Sequence, residues 1–322
     1  MNPDVADAVD RLGRDGTLTA RQVHLFGRIA RGELVSVRAE LRLLHYGGVL
    51  AVMAGIGLLV QQNLDRIGPV AIACFLWTAA AAALVWAHRH APAFSWGASP
   101  SSHLAFDYIL LLGVLLTGAA LAYVEVQFTP LGAAWRHHLL VVGLFAAALA
   151  VRGDSRLVAA VALTTLAAWR GVSTSPLERA FWAAGDAAGA LRTNAIVTGL
   201  VFAALGRALA WLDRKAHFEP VPTYLGWTLI LGAILSGIDA GTAETAWRLG
   251  LLLIGAGLAA LAFRAGRFPL FGMGLVAAYV ALSALVVSSL AGPLLPLAWF
   301  TTTGVAVLVG LLLAHQALRE HA

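Results

Sequence analysis

Charge is scarce in this chain of 322 residues: Asp, Glu, Lys and Arg make up 12% against 60% hydrophobic residues, with a mean hydropathy of +0.80. Soluble domains carry about 25% charge, so a water-solvated globule is excluded. Lysine is scarcer still, since Lys215 is the only one, and the basic residues form no face that would bind nucleic acid. The single cysteine, Cys74, excludes an intrachain disulfide and argues against a structural zinc site. Between their flanking charges the apolar runs hold almost no Asp, Glu, Lys, Arg or His. Ionisable groups at membrane depth mark proton relays and ion paths, so their lack argues against an energised pump. Hydroxyls such as Ser288-Ser289 and Thr301-Thr302-Thr303 are what remains to line a path. No G-x-S-x-G, H-E-x-x-H, P-loop or intramembrane carboxylate pair appears. The reading is of a chain without catalytic residues, metal or cofactor.

Long uncharged runs are present instead, at roughly 43–60, 68–87, 104–124, 138–151, 157–169, 193–212, 223–239, 247–263, 268–290 and 294–315. About twenty apolar residues cross a bilayer as a helix, and closed β-barrels give a far weaker hydropathy signal. The expected fold is therefore an all-α polytopic bundle of about ten spans, residues 43–318. A small N-terminal helical segment, residues 1–42, precedes it. The fourth and fifth runs hold only about fourteen and thirteen residues between charges. Crossing is still expected of them, because it keeps every later loop in register with the charge rule.

With the N-terminus inside, the Arg and Lys bias is about sixteen to six, or nine to six without the N-terminal segment. Both termini are expected to be cytoplasmic. No short apolar leader with a cleavage site precedes the first run, so it is expected to act as an uncleaved anchor in a bacterial inner membrane. Residues 3–13 and 19–31 read as two short helices about a Gly-Arg-Asp-Gly turn, with Thr19 as N-cap. Such a hairpin either packs on the membrane domain or docks a partner protein. In the longest outer loop, Ser175-Pro176 with Glu178 opens an amphipathic helix over about 176–191, lying on the membrane surface.

Most polar groups without an anchoring task gather at the outer level: Gln62, Asn63 and Asp65 after the first span, Glu125 after the third, Asn194 opening the sixth and Asp239 leaving the seventh. Arg66, Arg136, Arg192 and Arg248 share that side. Amides and carboxylates facing arginines can hold a headgroup or small solute in a cleft, although loops are polar wherever they meet water. Glycines 48, 55, 113, 118, 232 and 237 recur in three Tyr-led helices, consistent with close helix packing or with a duplicated hairpin. His88, His90, His103, His45 and His315 share no ligand spacing and read as interfacial histidines, and His137-His138 point to different helix faces.

Gly16-Thr17-Leu18-Thr19 followed by Gln22, a glycine-rich span ending in Asn63, and "LLGVLLTGAALAYVEVQF" with Glu125 and Gln127 form one further pattern. Over the first half of the chain it resembles a family of uncharacterised bacterial multi-pass membrane proteins, domain of unknown function 2157. Leu64 stands where that family has tryptophan after the asparagine. The resemblance implies a membrane location and no assigned activity. The function read from the residues is non-enzymatic: binding or passive movement of a small or lipid-like ligand through an extracytoplasmic pocket. The alternative is a scaffold or accessory subunit of a membrane complex. The lipid bilayer is the expected environment in either case.

Overall fold

The computed structural model describes residues 11–30, 38–99, 105–128, 136–172, 186–238, 243–289, 292 and 294–320. Helix is the regular structure throughout them, as α1 (Ala20–Ala30), α2 (Arg38–Ile67), α3 (Pro69–Arg89), α4 (Phe106–Phe128), α5 (Arg136–Gly153), α6 (Arg156–Ala167), α7 (Asp186–Leu212), α8 (Pro220–Leu235), α9 (Glu244–Arg264), α10 (Phe268–Val287) and α11 (Leu294–Glu320). A π-turn, Ala168–Val172, prolongs α6. Contacts divide the chain into two units, residues 1–64 and 65–322.

The first unit holds α1 and most of α2. Thr19 and Gln22 cap α1 reciprocally, the Gln22 amide donating to Thr19 Oγ1 at 3.4 Å and the Thr19 amide to Gln22 Oε1 at 2.9 Å. This capping box satisfies two amides that a helix start leaves open. Gly16 turns the chain at φ +70, a conformation that costs other residues a steric clash. Most of the first proposed helix, residues 3–10, lies outside the described residues.

The second unit is built of hairpins. Helices α3 and α4, α5 and α6, α7 and α8, and α9 and α10 each pack as antiparallel neighbours. Proline at the first turn starts α3, α8 and α10, where its missing N–H leaves no bond unmade. Helices in lipid gain nothing from apolar burial alone and associate by close packing. Backbone meets backbone most closely where two glycines face each other. The Gly199 and Gly226 backbones touch between α7 and α8, and those of Gly255 and Gly274 between α9 and α10; a Cβ at any of the four would fall 2.6–2.8 Å from the facing backbone. Of the glycines picked out in sequence, Gly113 and Gly237 abut Leu84 and Trp247, whereas Gly48, Gly55 and Gly232 have no facing atom within 4 Å.

Seven described helices are long and apolar enough to cross a membrane: those within Pro69–Arg89, Phe106–Phe128, Gly189–Leu212, Ala216–Leu235, Glu244–Arg264, Phe268–Val287 and Leu294–Ala317. Among the described residues, the expected runs at 43–60 and 138–151 give the shorter apolar stretches Leu43–Leu59, within the thirty-residue α2, and His137–Gly153, and the run at 157–169 gives the twelve-residue α6. Seven of the ten expected runs thus meet the length and hydropathy of a crossing among the described residues. Hydroxyls along the spans bond back into their own helices. Thr117 donates to the Gly113 carbonyl, Ser288 to Leu285, Ser289 to Val286, Thr301 to Leu297 and Thr302 to Ala298. Such back-bonding hides polar atoms from lipid, and it leaves the serine and threonine clusters with their donors already spent on helix carbonyls.

Candidate functional site

The best-organised polar group lies where the sequence drew no attention, at the turns of the hairpins. The turn between α5 and α6 holds Asp154 in the left-handed region at φ 57, and the turn between α7 and α8 holds Lys215 there at φ 50. Outside glycine this conformation costs about 1–2 kcal/mol, so tertiary contacts must hold it. Lys215 Nζ donates to Asp154 Oδ1 at 2.6 Å, and both side chains are buried, 3% and 5% exposed. His217 Nε2 meets the same oxygen at 2.7 Å, while the Ser99 amide donates to Oδ2. The Lys215 amide donates to the Trp96 carbonyl at 2.7 Å, and its ammonium lies 5.5 Å from the Phe94 ring centre and 5.9 Å from that of Phe218. Arg152 reaches the Pro92 carbonyl. Ser155, fully buried, caps α6 by accepting from the Val158 amide. One step further, Glu219 pairs with Arg267 in the turn between α9 and α10 and accepts from the Thr223 hydroxyl. The turns of all four hairpins are therefore linked by polar contacts, and this end is called the clasped end below.

Burial pushes the Asp154 carboxyl up. Hydrogen bonds from Lys215, the Ser99 amide and His217, with the charge of His217, outweigh that and leave it below the usual 3.8. A carboxyl depressed by folding contributes stability above its unfolded value, and that contribution drains as pH falls through the folded value. Thermal stability of the purified protein should therefore fall as pH is taken below about 4, and Asp154→Asn should flatten that acid limb. An acid limb of unchanged slope in the variant would show that another group sets it.

The opposite, open end joins the hairpins to one another. Here Arg192 donates to the Ser236 carbonyl at 2.7 Å and lies 6.0 Å from the Trp247 ring centre. Arg248 donates to the Ile238 carbonyl and pairs with Glu244. Both arginines thereby satisfy carbonyls at the C-terminal end of α8. Three buried polar atoms at or toward this end, Tyr123 Oη, His138 Nδ1 and Thr198 Oγ1, have no hydrogen-bond partner among the described residues. His138 Nδ1 does lie 2.7 Å from Glu125 Oε2, in ion-pair contact but without the alignment of a hydrogen bond.

At this end opens a cavity of about 330 Å³ lined by His137, Trp169, Arg170 and Asn194. The first turn of α5 supplies His137, and the π-turn that ends α6 supplies Trp169 and Arg170. Inserting residues into a helix re-aims its side chains, and π-turns gather at functional sites for that reason. Gly171 leaves the turn at φ +79, which brings its backbone against the Asn194 amide of α7; a Cβ there would stand 3.3 Å from Asn194 Nδ2. No partner for Arg170 or Asn194 occurs among the described residues.

The six residues singled out in sequence separate as follows. Asn194 lines the cavity. Glu125 contacts His138, the neighbour of the cavity-lining His137. Gln62 is exposed near the end of α2, in the first unit. The side chains of Asn63 and Asp65, and the whole of Asp239, lie outside the described residues, as does His103. Residues 176–185 of the proposed surface helix lie outside them too, and from Asp186 onward that stretch is the start of α7. No group of three or more His, Cys, Asp or Glu able to hold a metal occurs among the described residues. Trp169 and Arg170 were missed as lining residues because a Trp-Arg pair at a span end reads as an interfacial anchor. No family model, curated protein or solved structure matches the chain.

Proposed function

We propose that the protein is a polytopic bacterial inner-membrane protein, with both termini cytoplasmic, that binds a small or lipid-like ligand in the open-end cavity. On this reading α5 and α6 also cross. They start from the turn that Asp154 ties to Lys215 and end at the cavity they share with α7, and at 1.5 Å per residue the eighteen residues of α5 cover ~27 Å. The first apolar run of α2 supplies a tenth crossing and the link to the multi-pass family.

The observation that carries the binding role is the contrast between the two ends. At the clasped end the carboxylate oxygens, the ammonium and the amides are consumed by one another. At the open end, Arg170 and Asn194 line a cavity without a partner among the described residues. A ligand in the cavity would supply hydrogen-bond partners for both. Binding is favoured over passive movement because the serine and threonine hydroxyls bond back into their own helices. The scaffold reading draws on a shallow groove in the N-terminal hairpin, lined by Gly13, Arg14, Leu18, Ala20, Val23 and His24.

Protein purified in mild detergent should carry a stoichiometric amphiphile or small solute, detectable by mass spectrometry after organic extraction. The double variant His137→Ala/Asn194→Ala should lose it at least about tenfold while purifying in normal yield, the loss of two contacts of about 1 kcal/mol each. Equal content in wild type and variant would overturn the proposal.

A further inference from the structure

We infer that the open-end cavity is selective for an oxyanion, a phosphate group above all. The inference rests on the ligand-binding reading and names the chemistry of that site.

The lining is rich in donors, and no carboxylate occurs among its described residues. Arg170 presents up to five N–H groups in a planar fork, Asn194 an amide NH₂ and Trp169 an indole N–H. A guanidinium fork matches two oxygens of a phosphate or carboxylate at once. Glu125 is engaged with His138, and no ion pair of Arg170 occurs among the described residues. A cation would meet one positive charge and few acceptors here. The cavity, about 330 Å³, falls at the small end of the range for ligand pockets and has room for a phosphate with its first substituents. Trp169 and Arg170 close a helix of an apolar bundle, at the level where a lipid headgroup would sit.

Two sources supply such a phosphate: the headgroup of a membrane lipid, or an oxyanion dissolved outside. Full-length protein would be incubated separately with phosphatidylglycerol, with diacylglycerol of the same chains, and with inorganic phosphate. Lipid retained after transfer to detergent would be counted by native mass spectrometry, and phosphate binding read by calorimetry. Wild type should retain phosphatidylglycerol at least tenfold better than diacylglycerol, and Arg170→Gln should abolish that preference while Arg170→Lys keeps part of it. Phosphate binding without lipid preference, lost in Arg170→Gln, would support the same site with a dissolved ligand. Equal retention of the two lipids in wild type, without phosphate binding, would overturn the oxyanion inference and leave ligand binding standing. Retention of none of the three would count against the inference, and loss of the extractable ligand from wild-type protein would take the ligand-binding reading with it.

Discussion

Lys215→Met should destabilise the folded protein by about 3–5 kcal/mol, the range for removing one partner of a buried ion pair. The cost is chiefly that of the charge left behind. Asp154 is 5% exposed and would keep only His217 and the Ser99 amide as partners, in a setting where burial alone opposes its ionisation. The paired variant Lys215→Met/Asp154→Asn should be the more stable of the two, because it removes the stranded charge. Asparagine also tolerates the left-handed backbone that Asp154 adopts at φ 57. In a detergent melt read by size exclusion, the single variant should lose roughly 5–10 °C and the pair should regain part of that. A single variant melting with the wild type would mean that the clasp holds nothing. A pair no better than the single would mean that the stranded charge is not the cause.

Gly226→Ala and Gly274→Ala should also destabilise the protein, for a different reason. A Cβ on Gly226 would meet the Gly199 carbonyl oxygen at 2.6 Å and the Ala203 nitrogen at 2.8 Å. On Gly274 it would meet the Ala259 nitrogen and the Gly255 oxygen, each at 2.6 Å. These neighbours are backbone, so no side-chain rotation relieves the contact and the paired helices must separate along their length. Overpacking of a tight interface costs about 1–3 kcal/mol and sometimes more, and Gly226→Leu should leave little folded protein. Gly232→Ala is the control. It sits in the same helix α8 with nothing within 4 Å, and should gain up to about 1 kcal/mol from helix propensity. Equal melting of Gly226→Ala and Gly232→Ala would show that the glycine contact does not hold the hairpin.

Much of this architecture is legible in the sequence because hydrocarbon imposes simple rules. Each of the seven long apolar helices coincides with a run visible in composition alone, and the Thr19–Gln22 cap follows from residue type and spacing. The clasp was not legible. Lys215 and the arginines beside it read as charges held at the cytoplasmic face, and nothing local says that Asp154, 61 positions earlier, will meet the lysine. Two left-handed residues and three separate turns must come together first. The one pointer was its rarity: a chain that uses arginine almost everywhere keeps a single lysine.

The outer polar layer was legible as a layer and not as a site. Asn194 was identifiable as an amide at the start of an apolar run. That it shares a cavity with Trp169 and Arg170 depends on the π-turn, and its glycine exit at Gly171 has no distinctive signal in sequence. Arg192 and Arg248 looked equally suited to a ligand, yet both satisfy carbonyls at the end of α8. Which arginine stays available is a matter of tertiary geometry, and residue type alone cannot tell.

Side-specific cysteine labelling tests the central claim, that every hairpin turns at the clasped end on one side of the membrane and opens toward the other. In a Cys74→Ala background, Gly97→Cys, Arg156→Cys and Ala265→Cys place one thiol at the turn of three different hairpins, and Gln127→Cys places one at the open end. A membrane-impermeant maleimide applied to intact cells should label the Gln127→Cys variant at once and the three turn variants only after lysis. Labelling of any turn position from the same side as Gln127→Cys would contradict the account.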